Sequence, residues 1–446
     1  LQALWAEVLN VPSVSLHESF YDLGGDSLSA LTVIMRMEAL GLDPDTARMI
    51  FDGKTIAAIA GADGPAPVLE PVAAPAAPPP ETPSTAPATP EKGGLSFAEM
   101  MNAVHATRGV LILWVVVVHW LPGVLARIAG DAAWIYEAMN PALRYGTPGF
   151  AMVFGLGVGA LGLQHYAKNR DMFLKGNRLN VMLVGGGVLI MALIRLAAVS
   201  TDGEPFGPYT VSFLFYSAIA YYALAMLTMP LIMRVLHMGP DRLLTALLVG
   251  AICMALHEFL ATTVAPLKPG GVLELMKILL TAKYGYFHMT AYVMVGVAMG
   301  ILLRRWHGSA RLSQDMGFYG LALIILGSVV LYEVRGDADL MNFGRVHPWH
   351  LMIYAGVTLW IIAIFCRINR GNARGAGPII RYGNAFAITS GILALPIFVG
   401  HEIVIPIKSL LENLGLPGSI ALLIPLLLFL GGLAFGYVRL MKFLVR

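Results

Sequence analysis

A few side chains in this sequence combine type and spacing in ways that could do chemistry. Ser27 follows Gly24, Gly25 and Asp26 and precedes Leu28. The glycine pair permits a tight backbone path, and the spacing of Leu28, Leu31, Ile34 and Met35 predicts a helix directly after it. Ser27 then stands at a helix N-terminus, where unpaired N–H groups and the helix dipole favour an anion on its hydroxyl. A serine there can also serve only as an N-cap. Arg108 and His119 share the apolar stretch ATRGVLILWVVVVHW. Eleven helical steps bring them to within roughly 20° of one face, about 16 Å apart along the axis. That suits a cation near one membrane rim that holds a phosphate, and an imidazole near the membrane interior that takes a proton. An interfacial anchor and a hydrogen-bonded core histidine are the plainer readings, but ionisable groups inside a membrane are costly and tend to be functional.

A histidine acting as base needs an acceptor on its other ring nitrogen, and Glu402 and Glu333 are the candidates for that acid. His257-Glu258, His288, His347, His350 and His401 also lie in or beside apolar runs. No ligand spacing predicts a metal site. Cys253 and Cys366 sit inside apolar runs and form neither a disulfide framework nor a zinc motif. The glycine runs at 155–159 and 185–187 read as helix-packing surfaces, since no P-loop lysine follows them.

The elements that must position these groups follow from composition. The chain has 446 residues, 57% of them hydrophobic and 13% charged, with mean hydropathy +0.72. Soluble domains carry about 25% charge, so most of this chain must be solvated by lipid. A net charge of +3 is too small to argue for a nucleic-acid partner, and none is expected. The expected fold is all-α in three parts: a four-helix bundle over 1–61, a Pro/Ala-rich tether over 62–95, and a polytopic membrane domain over 96–446. The tether cannot bury a core and reads as a polyproline-type spacer with a reach on the order of 100 Å. About ten spanning helices are expected, beginning near Val110, Phe150, Leu179, Val211, Leu243, Phe287, Gly317, Leu351, Phe386 and Ile420. Lys and Arg concentrate in alternate loops, which places both termini in the cytoplasm. Leu1 to Asn10 reads as an amphipathic helix rather than a signal peptide, and the abrupt start is expected to lie inside a longer chain.

The segment ESFYDLGGDSLSALTVIMRMEALGLD resembles the thiolation (peptidyl or acyl carrier) domains of nonribosomal peptide synthetases. The resemblance implies a 4′-phosphopantetheine arm on Ser27, a phosphopantetheinyl transferase to attach it, and an upstream adenylation domain. Asp26 stands where many elongating carriers have histidine, which is compatible with service to something other than a condensation domain. The first spanning helix, with its arginine and histidine separated by ten residues, resembles that of the acyltransferase-3 family of bacterial membrane acyltransferases. PGFAMVFGLGVGALG, LKGNRLNVML and RYGNAFAITSGILALPIFVGHEI extend the likeness over residues 98 to about 405. It implies His119 as the catalytic base and Arg108, Lys175 and Arg178 as donor or phosphate contacts, although a lysine at 175 departs from the commoner arginine. It also implies a multi-pass protein of the bacterial inner membrane. The arm is similar in length to the Arg108–His119 spacing, so its phosphate would rest at one and its thioester at the other.

The combined expectation is transfer of an acyl or aminoacyl group from the carrier thioester to a lipid, glycan or small-molecule acceptor bearing a hydroxyl or amine. Two rivals are a coenzyme A-dependent O-acyltransferase with a vestigial carrier, and a transporter that uses the carrier for docking. Co-expression with a phosphopantetheinyl transferase is expected to add one arm, and Ser27→Ala to abolish it. Intact-mass measurement checks both, and an unmodified wild-type chain would sink the carrier assignment.

Overall fold

The computed structural model describes residues 1–9, 11, 13–20, 23, 25, 30, 33–34, 36–37, 40, 42, 46, 49–50, 53–61, 94–128, 145–201, 207, 210–264, 266–267, 270–282, 284–335, 348–370 and 377–445. Ser27, Leu28, Leu31, Met35 and His347 lie outside them, as does most of the tether. Among the described residues the chain is all-α, with a single isolated antiparallel bridge between Ser19 and Thr55.

In the N-terminal part, α1 (Gln2–Leu9) and α2 (Ile56–Ile59) turn apolar faces onto a core shared with Ala30, Val33, Ile34, Met37 and Ile50. Trp5 and Phe20 form its centre, edge to face at 5.0 Å. Thr55 caps α2, its hydroxyl accepting the Ala58 N–H at 3.2 Å. The Gly25 N–H donates to the Phe20 carbonyl at 2.9 Å, and a Cβ on Gly25 would run into the Phe20 ring. The glycine is therefore required where the chain turns back against the core.

The second part opens with a capping box. Glu99 Oε2 accepts the Ser96 N–H at 2.8 Å, and the Ser96 hydroxyl accepts the Glu99 N–H at 3.2 Å. This starts α3 (Phe97–Ile128) thirteen residues before the expected Val110. The apolar run begins at Val110, but the polar cap and the buried His105 and Thr107 belong to the same helix. Arg108 lies about 16 Å along this helix from its first residue, and His119 about 33 Å.

The chain continues through α4 (Gly146–Gly157), a π-turn (Val158–Gly162), α5 (Leu163–Lys168), α6 (Arg170–Thr201), α7 (Thr210–Phe215) and α8 (Ala218–Met238). Next come α9 (Arg242–Thr263), α10 (Gly271–Thr281), α11 (Tyr286–Trp306), α12 (Leu312–Arg335) and α13 (Pro348–Asn369). It ends with α14 (Pro378–Ile392), α15 (Ala394–Asn413) and α16 (Gly418–Val445). Ten segments among the described residues are long and apolar enough to cross a bilayer, in agreement with the expected number. Rows of exposed leucines such as Leu244, Leu248, Leu427 and Leu428 suit a lipid-facing surface.

Glycines set the closest helix crossings. A Cβ on Gly155 of α4 or Gly159 of the π-turn would meet the carbonyls of Val293 and Val297, while one on Gly296 or Gly300 of α11 would meet those of Met152 and Leu156. In the same way Gly109 of α3 faces the Ala387 carbonyl, and Gly391 of α14 faces that of His105. The run 155–159 is thus a packing surface, as expected. The run 185–187 is not of that kind, because a Cβ on Gly185 or Gly186 meets nothing within 4 Å and one on Gly187 meets only the Val399 side chain. A glycine run alone does not reveal whether a second backbone approaches it. Gly391→Val is expected to lower stability by about 1–3 kcal/mol or more. Gly186→Ala should be neutral or stabilising by about 0.5–1 kcal/mol. Thermal unfolding in detergent reads both.

Candidate functional site

Residue numbers rise together where α3 meets α14 and α15, so the first and penultimate spans lie side by side and parallel. Their register is set by the Gly109–Gly391 crossing. Just beyond it the penultimate span breaks at Leu393, between α14 and α15. Arg108 is fastened to this break. Its Nε donates to the Gly391 carbonyl at 2.7 Å, and a terminal guanidinium nitrogen pairs with His105 Nδ1 at 3.1 Å.

Ten residues C-terminal to that crossing, α3 and α15 bring together His119, His401 and Glu402. His119 Nδ1 lies 2.9 Å from His401 Nε2. Glu402 Oε1 stands 3.7 Å from His119 Nδ1 and 3.8 Å from His401 Nε2. His401 is fully buried, while the His119 side chain is 34% exposed. Of the two expected acids, Glu402 reaches His119. Glu333 is exposed near the end of α12, whose main packing partner is α13.

Ligand spacing in the sequence predicts no metal, yet the fold gathers two imidazoles and a carboxyl whose donor atoms all lie within 4.8 Å. Ring orientation decides what they do. The rings are within 22° of coplanar, and their centroids are 5.1 Å apart. That separation is close to the most a 2.9 Å N···N contact allows, so the two nitrogens point at each other. The pair is arranged as an N–H···N hydrogen bond. A shared ion would require both rings to swing away from this alignment.

Two helix interruptions are tied to residues that interact with Glu402. One separates α7 from α8 at Tyr216, where Ser217 caps α8 by accepting the Ala220 N–H at 3.2 Å. The other separates α10 from α11, and there the Tyr284 N–H donates to the Tyr216 hydroxyl at 3.3 Å. Arg195 of α6 donates to the carbonyls of Tyr216 at 3.1 Å and Leu214 at 3.4 Å. It also interacts electrostatically with Glu402, as does Tyr284. Irregular backbone at membrane depth is tolerated where buried partners satisfy it or where it borders a cavity, and Arg195 supplies such a partner.

Lys175 and Arg178 are exposed on the first turns of α6, with Arg178 about 26 Å along the axis from Arg195. They do not join the cluster. Sequence reasoning missed Arg195, Tyr216 and Tyr284, and treated His401 only as the neighbour of Glu402. Arg195 carried a usable signal, a lone cation in an otherwise apolar run. His257 and His288 stack on each other at 4.5 Å on α9 and α11. Cys253 and Cys366 are buried thiols.

Comparison with known proteins bears on the N-terminal part. Residues 1–62 match the family model for the phosphopantetheine attachment site. Nonribosomal peptide synthetase ungA of Aspergillus violaceofuscus is 52% identical over 62 residues. Malpinin synthetase of Mortierella alpina is 42% identical over 64 residues, and a linear gramicidin synthase chain of Brevibacillus parabrevis 36% over 62. Each match covers 14% of this chain and about 1% of the relative. No solved structure matches the chain. The N-terminal part is a thiolation-type carrier domain, and such a domain takes a covalent 4′-phosphopantetheine. The Gly25 turn holds the chain against the Trp5–Phe20 core two residues before Ser27 in the sequence.

Arg195→Met is expected to lower stability by about 1.5–3 kcal/mol, because it strips a charged donor from two carbonyls at a helix break. Thermal unfolding of the detergent-solubilised protein would read this, and an unchanged midpoint would show that the break is held by other contacts.

Proposed function

We propose that this chain transfers an acyl or aminoacyl group from its own carrier domain to a hydroxyl or amine acceptor at the membrane, with His119 as general base. The observation that supports it best is the His119–His401–Glu402 cluster, in a chain that begins with a carrier domain. Ser27 is the attachment residue, and the bound arm supplies the acyl group as a thioester and leaves as a thiol. His119 takes the proton of the acceptor as it attacks, and the partly exposed imidazole leaves room for that acceptor. Glu402 offsets the positive charge that then develops on the ring. Arg108, Lys175 and Arg178 are proposed donor contacts. Arg108 also ties α3 to the Gly391 carbonyl, so its loss should affect both folding and engagement of the arm.

The partners follow from the same reading: a phosphopantetheinyl transferase, an upstream adenylation domain or enzyme, the lipid bilayer, and a lipid, glycan or small-molecule acceptor. Both termini are cytoplasmic in this arrangement, where ATP and coenzyme A load the carrier. The tether keeps the carrier at an effective concentration near millimolar around the membrane domain.

His119→Ala is expected to leave carrier loading intact while transfer falls by about 10²–10⁴-fold. Single-turnover loss of the acyl group from the loaded carrier, followed by intact mass in native membranes, measures it. Wild-type rates in this variant would overturn the role of His119. Rates that survive cutting within 65–90 at low protein concentration, sustained by acyl-coenzyme A alone, would leave the carrier vestigial. Substrate movement without acyl loss, indifferent to Ser27→Ala, would point to a carrier-docked transporter.

A further inference from the structure

Two hydrogen bonds in series determine which nitrogen of His119 can accept a proton. His401 Nδ1 lies 3.1 Å from the carbonyl of Ile397, one turn earlier on α15. A carbonyl only accepts, so Nδ1 of His401 carries the hydrogen. In neutral His401 the other nitrogen, Nε2, is then a lone-pair acceptor. It faces His119 Nδ1 at 2.9 Å, in the nearly coplanar and collinear arrangement described above. The shared hydrogen belongs to His119 Nδ1, which leaves Nε2 of His119 as its basic nitrogen.

We infer that His401 is the positioning residue of the site: anchored by the Ile397 carbonyl, it holds His119 in the Nδ1–H tautomer and presents Nε2 to the acceptor. This rests on the proposed role of His119 as base. The burial of His401 makes the device rigid, since its ring packs against Phe398 and has no water-facing alternative. Glu402 serves both rings at nearly equal distance, 3.7 and 3.8 Å. A proton taken at His119 Nε2 creates an imidazolium that still donates from Nδ1 to His401, with the carboxyl beside both. The proton then leaves from Nε2 to the departing sulfur, so the ring pair ends as it began. The sequence could not suggest this, because a carboxylate is the commoner partner for a histidine base and the two histidines are 282 residues apart.

The test uses the full chain in lipid nanodiscs, labelled with ¹⁵N-histidine. Its carrier is loaded with acetyl-phosphopantetheine, and octyl glucoside serves as the hydroxyl probe. In the wild type, ¹⁵N shifts should place the His119 hydrogen on Nδ1, with coupling across the bond to His401 Nε2. A hydrogen on Nε2 of His119 would overturn the inference, whatever the protein catalyses. In the activity arm, His401→Leu should lower kcat on the order of 10²–10⁴-fold with KM for octyl glucoside little changed. His401→Gln, whose side-chain oxygen can accept from Nδ1, should recover most of that loss. A His401→Leu protein as active as wild type, beside an inactive His119→Ala, would sink the positioning role while leaving the base intact. If wild type and His119→Ala are equally inert, the functional reading fails, and the tautomer measurement still decides this inference.

Discussion

The site depends on one constraint, the backbone-to-backbone approach of the first and penultimate spans at Gly109 and Gly391. No side chain fits between these helices there, because a Cβ on either glycine would meet a carbonyl of the other helix. That contact fixes the register of α3 against α14 and α15. It allows Arg108 to reach the Gly391 carbonyl and, ten residues further on, allows two imidazoles to meet at 2.9 Å. A shift of one residue would rotate His119 by about 100° away from His401.

The second organising theme is the handling of polar groups in an apolar setting. Lipid cannot satisfy a backbone donor or acceptor, so each interruption of a spanning helix needs a partner inside the protein. Arg108 serves the penultimate span and Arg195 the α7–α8 junction, while Tyr216 joins that junction to the one between α10 and α11. Both cations therefore do structural duty, Arg195 beside the cluster of titratable side chains and Arg108 about 16 Å from it along α3. Structural and chemical readings of an intramembrane charge are not exclusive: one guanidinium can close a helix break and shape the field around Glu402.

The capping box at Ser96 and Glu99 starts α3 well before its apolar run, so that Arg108 stands about 16 Å and His119 about 33 Å from the helix start. A spacing of about 16 Å between Arg108 and His119 survives from sequence to structure, since it depends only on helical rise.

Much of this protein was legible in its residues. The carrier motif around Ser27, the all-α class, the ten spans and the shared face of Arg108 and His119 all follow from local signals: a motif, a composition, a run length, a helical period. The 155–159 glycine run was legible for the same reason, as small residues at helical spacing mark a packing face. Tertiary structure decided everything that requires two distant segments to meet. Glu402 and Glu333 were equivalent as intramembrane acids until the packing of α3 against α15 put one beside His119 and left the other exposed on α12. His401 became the direct partner of His119, Arg195 the clamp of a broken helix, and the glycines at 185 and 186 open space instead of an interface. Sequence periodicity specifies which side of a helix a residue occupies, whereas the identity of the neighbouring helix, its register and its depth are set only when the spans pack.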